Sequence, residues 1–387
     1  MSFPKCLLFN LLLLFFFSAT AQQEQKSGVF EMVEKDHTSK DSIDAPTFKT
    51  NFDHWAYSEK KHAILFYGAP MFQYGFNGDT STYQLHHDLG IFYRWFMVDK
   101  EGLKINFQAW AEQNSQWTGS SSKQFSKDLN MISSVNGSDV DSFSVSIEYF
   151  YLEFFLFNEK WDISIGKFDP LFLTTFTNYA GWDKYNYFAK SSASDPVPPL
   201  NPGMGIFSEY HFSDNFSIGG IITDDQPHND FLYIPNFGTT TWAYEAFINF
   251  KLGTSKGLYS EHHLSFYYVD EKKGEAKGQG FTYTANQGLN EKLILVLKIS
   301  NGQNRILKLN SAYVLGLTFK NPLGRAHDYF GVAAILNEKE KKYEFGIDTF
   351  WKFQMAEWFS FSPNIQAYYS VNDQVNIIPG IRAFFAY

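Results

Sequence analysis

Cysteine is nearly absent from this chain of 387 residues, since Cys6 is the single one. The fold therefore does not rely on disulfides. Long apolar runs are missing too: after residue 21 no stretch reaches 18 apolar residues, which argues against a membrane-spanning helix. Positive charge is scarce, with 32 Lys and Arg against 41 Asp and Glu. The resulting net charge of −9 disfavours nucleic-acid binding.

Motifs of catalysis and metal binding are also missing. The chain contains no G-x-S-x-G, no Walker loop, and no G-x-G-x-x-G in a βαβ context. The histidine pairs His86-His87 and His262-His263, like the lone His211 and His228, have no E-x-x-H or cysteine partners, so metal-ligand spacing is absent. Adjacent residues of a strand also point to opposite faces. The sequence therefore predicts a protein without enzymatic activity, cofactor or metal site.

The N-terminus has the three parts of a signal peptide. Lys5 is followed by the mainly apolar run Leu7 to Phe17 and by small residues ending at Ala21. Cleavage there predicts an exported protein, with Cys6 removed. Residues 22–57 are polar, charged and without periodicity, which is typical of a segment that does not fold alone.

From about residue 58 to residue 387 the pattern is that of β-strands. Roughly sixteen segments alternate apolar and polar residues, for example 83–96, 142–151 and 343–352. Aromatic residues make up 19% of the chain, a load typical of the two aromatic girdles of a membrane barrel. We expect short turns at one end, such as 158–160, and long loops at the other: 113–141, 170–204 and 224–240. A soluble β-sandwich also alternates, so the alternation alone leaves both folds open.

The last segment, 374–387, favours the barrel. Val375, Ile377, Ile381 and Tyr387 share one face, and Arg382 lies on the other. A terminal aromatic in an apolar strand is typical of bacterial outer-membrane barrels, whose last strand closes the barrel and carries the assembly signal. The sequence thus predicts a transmembrane antiparallel β-barrel in the outer membrane of a Gram-negative cell, with membrane lipid and the barrel-assembly machinery as partners.

Three segments resemble the carbohydrate-selective (OprB-type) porins: 165–188, which contains G-K-F-D-P and an aromatic-rich loop, 201–226, and 358–387. The family's ending corresponds here to Pro363, Gln366, Gly380, Arg382 and Tyr387, with Tyr387 replacing the more usual phenylalanine. The 113–141 loop does not align. The resemblance implies a barrel of about sixteen strands through which mono- or oligosaccharides diffuse passively.

Strand parity predicts which polar residues face the lumen. In the 142–151 segment it places Tyr149 outward and Glu148 inward. Both charge signs occur on the inward face, which suits a neutral polar solute, although cross-strand ion pairs explain the same residues. The predicted pore-lining residues comprise the inward charged groups and three residues of the 170–204 loop: Asp88, Arg94, Lys104, Glu112, Glu148, Trp182, Asp183, Lys184, Glu245, Glu344, Asp348 and Arg382.

Four functions remain open at this point. The resemblance favours a sugar-selective porin, and a general or differently selective porin on the same fold is the alternative. An outer-membrane enzyme needs a catalytic constellation that the sequence does not display. A soluble secreted β-protein is the fourth. A homo-oligomer is compatible with the porin interpretations.

Overall fold

The computed structural model describes residues 62–135, 143–170, 186–193, 203–224, 241–252, 258–271, 277–303, 309–325, 327–356 and 358–386. The predicted signal peptide and the polar N-terminal segment, residues 1–57, lie outside these ranges, and so does Tyr387.

Sixteen strands close into one barrel within the described ranges. Each strand pairs antiparallel with its neighbours in sequence, which confirms the predicted antiparallel barrel of about sixteen strands. The strands are β1 His62–Phe76, β2 Ser81–Lys100, β3 Leu103–Gly119, β4 Ser144–Leu156, β5 Trp161–Phe168, β6 Gly203–Ser213, β7 Phe216–Asp224, β8 Trp242–Phe250, β9 Ser260–Val269, β10 Gly278–Gly288, β11 Leu293–Gln303, β12 Ser311–Lys320, β13 Tyr329–Lys339, β14 Lys342–Ala356, β15 Phe359–Tyr369 and β16 Val375–Ala386.

The first and last strands close the barrel. Tyr67 of β1 pairs with Ala386 of β16, and the register continues to Phe76 opposite Ile377. Because β1 also pairs with β2 along its whole length, both its edges are used. The closed ladder satisfies the backbone N–H and C=O groups of the strands, which lipid cannot do.

The two ends of the barrel differ in their connections. Short turns join β2 to β3, β4 to β5, β6 to β7 and β10 to β11 at the periplasmic end. In the last of these, the Asn290 side chain accepts hydrogen bonds from the amides of Lys292 and Leu293. The long connections lie at the extracellular end. β3 runs to Gly119, so the loop expected from residue 113 begins seven residues later than the alternation indicated.

Helices are few and short among the described residues: α1 Ser122–Asp128, α2 Lys190–Ala193 and a 3₁₀ turn Pro322–Gly324. No helix in those ranges is both long and apolar enough to cross a membrane.

The outer surface carries the two aromatic girdles that the aromatic content predicts. Exposed tyrosines lie where strands meet the extracellular connections: Tyr74, Tyr83, Tyr268, Tyr313, Tyr343 and Tyr369. Exposed Phe and Trp side chains lie beside the periplasmic turns: Phe157, Trp161, Phe212, Phe216 and Trp358. Exposed aliphatic side chains, including Ile206, Leu315 and Ile365, lie between these girdles. This order matches the lipid-facing surface of a membrane barrel.

Leu315 provides a test of this surface. It lies mid-strand in β12, points outward and is 58% exposed. Leu315→Arg at this lipid-facing position should lower the free energy of unfolding by about 2–4 kcal/mol. The measurement is reversible guanidinium unfolding in lipid vesicles, with Leu315→Ile as the matched control. Equal stability of the arginine variant and the control would contradict the outward, lipid-facing placement.

Candidate functional site on the inner wall

Two loop segments lie against the inner wall of the barrel. The first, residues 120–135, contains α1 and follows β3; the second, residues 186–193, contains α2 and precedes β6. Both contribute fully buried apolar side chains to a cluster with inward residues of β1 and β11 to β16. From these segments the cluster includes Phe125, Leu129, Val135, Tyr187 and Phe188. Described parts of both long connections therefore fold inward and narrow the lumen on that side.

Glu344 of β14 holds the first segment. Its carboxylate accepts a hydrogen bond from the Ile132 amide at 3.0 Å and another from the Ser133 hydroxyl. Asn337 of the neighbouring strand donates a third at 3.2 Å. On β15, the Gln366 amide donates to the Val135 carbonyl at 2.9 Å. A charged acceptor makes such bonds stronger than neutral ones.

Asp348, four residues further along β14, holds the second segment. It accepts hydrogen bonds from the amides of Phe188 at 3.1 Å and Ala189 at 2.9 Å, and from the Ser192 hydroxyl at 2.7 Å. Asn364 of β15 donates to its other oxygen at 2.7 Å. The carboxylate is fully buried, and these four donors compensate its burial.

Arg382 of β16 adds a third contact to the same segment. Its guanidinium lies 4.1 Å from the centre of the Phe188 ring and donates a hydrogen bond to the Asn186 carbonyl at 2.8 Å. The stacking geometry is that of a cation–π interaction. One face of β14 and β16 thus acts as the docking surface for the inward segments.

The neighbouring part of the wall, on β1 to β4, carries a band of aromatic rings. Phe92 and Trp110 stack with ring centres 4.8 Å apart, and Tyr149 packs edge-on against Trp110 at 5.3 Å. Tyr67 continues the band, 5.6 Å from Phe92. The Tyr67 ring lies over Gly90, where a Cβ atom would come within 2.0 Å of it, so this contact requires glycine.

A β-bulge corrects the prediction for Tyr149. Trp110 pairs with Tyr149, and the next residue, Ala111, pairs with Ile147, so Glu148 is an extra residue in β4. Alternation predicted Tyr149 outward; the bulge turns it inward, where it is 8% exposed. Glu148 also remains on the inner side, where it accepts a hydrogen bond from the Ser146 hydroxyl. The bulge therefore sets a carboxylate and a ring side by side.

Polar groups accompany the aromatic band. The Tyr67 hydroxyl donates to Glu112 of β3. Glu153 of β4 accepts hydrogen bonds from Arg94 at 2.7 Å, from Gln108 at 2.7 Å and from Asn106 at 3.2 Å. Arg94 is 1% exposed, so this pair is buried within the wall.

Charge on the inner wall is divided between two arcs. Carboxylates outnumber cations on the wall formed by β2 to β8: the acids are Asp88, Glu112, Glu148, Glu153, Asp162, Glu209 and Glu245, and the cations are Arg94, Lys104 and Lys167. Cations lie on β11 to β16: Lys298, Lys320, Lys352 and Arg382. The two acids of the second arc, Glu344 and Asp348, are occupied by the inward segments. The lumen thus has one acidic and one basic side.

Part of the chain is similar in sequence to curated porins. No family model matches the chain. Porin AaxA of Chlamydia abortus is 28% identical over 185 residues, which cover 45% of this chain and 38% of that protein. Porin AaxA of Chlamydia pneumoniae is 27% identical over 208 residues, covering 49% and 45%. The chain therefore spans less than half the length of these curated relatives.

Solved structures share the barrel. OprB of Pseudomonas putida, in its high-pH structure, superimposes with a TM-score of 0.69 at 13% identity, covering 84% of this chain and 94% of that one. The chain has the fold of an OprB-type porin. A variant of Rh. blastica porin gives a TM-score of 0.50 at 13% identity, covering 84% and 100%. The porin relatives and the closed barrel together indicate an outer-membrane protein.

The residues predicted from sequence fall into three groups in the barrel. Glu344, Asp348 and Arg382 hold the inward segments. The inner wall carries six others: Asp88, Arg94, Lys104, Glu112, Glu148 and Glu245. Of these, Lys104 forms an ion pair with Glu159 at the periplasmic turn. Trp182, Asp183 and Lys184 lie outside the described residues. Contact of any of the twelve with a solute stays a prediction.

Several inner-wall residues escaped the sequence analysis. Tyr149 and Glu153 follow the bulge, beyond which the parity of β4 changes. The sequence analysis did not select Phe92 and Trp110, because an aromatic residue among inward polar residues looks like an ordinary break in the alternation. Extending the alternation through β11 and β12 would have found Lys298 and Lys320.

Asp348 gives a direct test of the docking surface. Asp348→Ala leaves the amides of Phe188 and Ala189 without their acceptor, and each unsatisfied buried amide costs about 1–3 kcal/mol. We expect residues 186–193 to detach, so that single-channel conductance in planar bilayers rises and becomes noisier. The barrel itself should still migrate as a folded band on unheated gels.

Glu245→Ala is the matched control, because it removes a buried inner-wall carboxylate from β8, whose partner is His263 at 3.9 Å. Its conductance should change less than that of the Asp348 variant. Wild-type conductance and noise in Asp348→Ala would contradict the anchoring role.

Proposed function

We propose that this protein is an outer-membrane porin that lets mono- or oligosaccharides diffuse passively through its lumen. The observation that carries the proposal is the bulge in β4. It presents the Glu148 carboxylate and the Tyr149 ring together on the inner wall, next to Trp110 and Phe92.

This pairing suits the chemistry of a sugar. A pyranose has an apolar C–H face that packs on an aromatic ring, and hydroxyls around its edge that bond to charged groups. A ring and a carboxylate side by side offer weak contacts, whereas one tight site would block flux. The porin relatives and the barrel favour a channel over an enzyme.

A general or differently selective porin is the second candidate. The acidic arc of β2 to β8 and the basic arc of β11 to β16 favour it, because such a lumen orients any dipolar or charged solute. The two candidates differ in one measurable property: a sugar-selective channel is blocked by sugars, while a general one responds mainly to ionic charge.

Two partners belong to the proposal. The lipid-facing side of β16, with Val375 and Ile381, is proposed to be recognised by the barrel-assembly machinery. A homo-oligomer remains compatible with the barrel.

Tyr149 is the residue to test. Its ring should contribute about 0.5–1.5 kcal/mol to contact with a sugar, so Tyr149→Ala should raise the half-blocking sugar concentration about two- to tenfold. The measurement is conductance in planar bilayers with graded monosaccharides and oligosaccharides. Tyr149→Phe keeps the ring and should stay near wild type.

Phe150→Ala is the matched control, because Phe150 is the next residue of β4, points outward and packs on Phe107 at 4.8 Å. It should leave sugar block unchanged. Wild-type channels that respond to no sugar would overturn sugar selectivity while leaving the general porin intact. A selective effect of Phe150→Ala would overturn the role of the inner wall.

A further inference from the structure

A cluster of two carboxylates and one histidine lies on the inner wall, outside the proposed solute path. It lies near the periplasmic turns, where Asp162 is the second residue of β5 and Glu209 and His211 lie near the end of β6. The three side chains offer ligand atoms that all lie within 4.8 Å of one another. The His211 Nε2 atom is 3.2 Å from an Asp162 oxygen and 4.0 Å from a Glu209 oxygen.

The strand register brings two negative charges face to face. Asp162 pairs directly with Glu209 across β5 and β6. Like charges directly opposite each other destabilise a sheet. A positive charge between them removes that penalty. Among the described residues, the His211 imidazole lies at the edge of this pair.

Neighbouring side chains orient Glu209. Its Oε1 atom accepts hydrogen bonds from the Ser217 hydroxyl at 2.5 Å and from the Asn249 amide at 2.8 Å. Its other oxygen, Oε2, is the one nearest His211. Partners that fix a carboxylate in this way are typical of the outer shell of a metal site.

Asp162 provides an independent observation. Its Oδ1 atom is enclosed by protein and has no hydrogen-bond partner among the described residues. An enclosed carboxylate oxygen without a donor is costly unless a cation compensates it. The other oxygen, Oδ2, is the one near His211.

We propose that Asp162, Glu209 and His211 bind a divalent transition-metal cation of the Zn²⁺ type. One imidazole nitrogen and two carboxylate oxygens form a donor set that Zn²⁺ accepts, and a water from the lumen completes four-coordination. The side chains are 20%, 12% and 35% exposed, so the site is reachable from the periplasmic mouth. The cation ties β5 to β6 and neutralises two charges there.

No motif in the sequence points to this site. Asp162 is 47 positions from Glu209, and Glu209 and His211 are separated by two positions, a spacing that aligns side chains only on a strand. The cluster exists because the barrel register sets β5 beside β6.

Zinc binding to the folded barrel tests the proposal. The untagged mature protein in detergent is titrated with Zn²⁺ by calorimetry, and bound metal is counted after gel filtration. We expect one Zn²⁺ per chain. His211→Ala should abolish that stoichiometric binding, and Asn249→Ala, which loosens Glu209, should weaken it about 10- to 100-fold.

His62→Ala is the control, since His62 is exposed and contacts Tyr93 rather than carboxylates. It should bind Zn²⁺ like the wild type. Folding of each variant is verified by its mobility on unheated gels. A wild-type barrel that binds no Zn²⁺, or a folded His211→Ala variant that binds it unchanged, would overturn the site. Neither result bears on sugar block, so the two proposals fail separately.

Discussion

The closed ladder of backbone hydrogen bonds is the constraint on which the rest of this structure depends. A chain without structural cysteines has no disulfide to hold it, and lipid offers no partners for exposed N–H and C=O groups. Pairing β1 with β16 removes the free edges. Once the ladder closes, every strand has one face toward lipid and one toward the lumen, so all polar chemistry is confined to the inner wall.

Some polar residues of the inner wall stabilise the fold, and others remain for contact with a solute. On β14, Glu344 and Asp348 lie four residues apart on the same face, and each holds a different loop segment. Arg382 on β16 supports the second segment from the other side. On the strands next to β16, the rings around Trp110 and the carboxylates of β2 to β4 remain for the proposed solute path. The two inward segments thus cover part of the inner wall, and the proposal assigns selectivity to the part beside it.

Alternation of apolar and polar residues predicted the face of most strand residues. Together with the aromatic content, the apolar last strand and the porin resemblance, it predicted the barrel and its strand number. The alternation of side chains is uninterrupted in the strand segments that lead to Arg94, Glu245 and Asp348, so the period of two places these residues inward. The prediction was wrong at Tyr149, where one extra residue in β4 reverses the parity. It also ended β3 too early, because the polar stretch after Glu112 looks like loop although its backbone still pairs with β2. Neither feature leaves a mark in local sequence.

The sequence alone determined the architecture, since periodicity, aromatic content and the apolar last strand all follow from a sheet with one face in lipid. Tertiary structure decided what the inward residues do. Asp348 became an anchor because residues 186–193 fold back onto it, and Asp162 met Glu209 and His211 because β5 lies beside β6. The physical reason is that the face on which a side chain lies depends on neighbouring residues along one strand. Contact between side chains far apart in the chain depends on strand register and on the folding of loops.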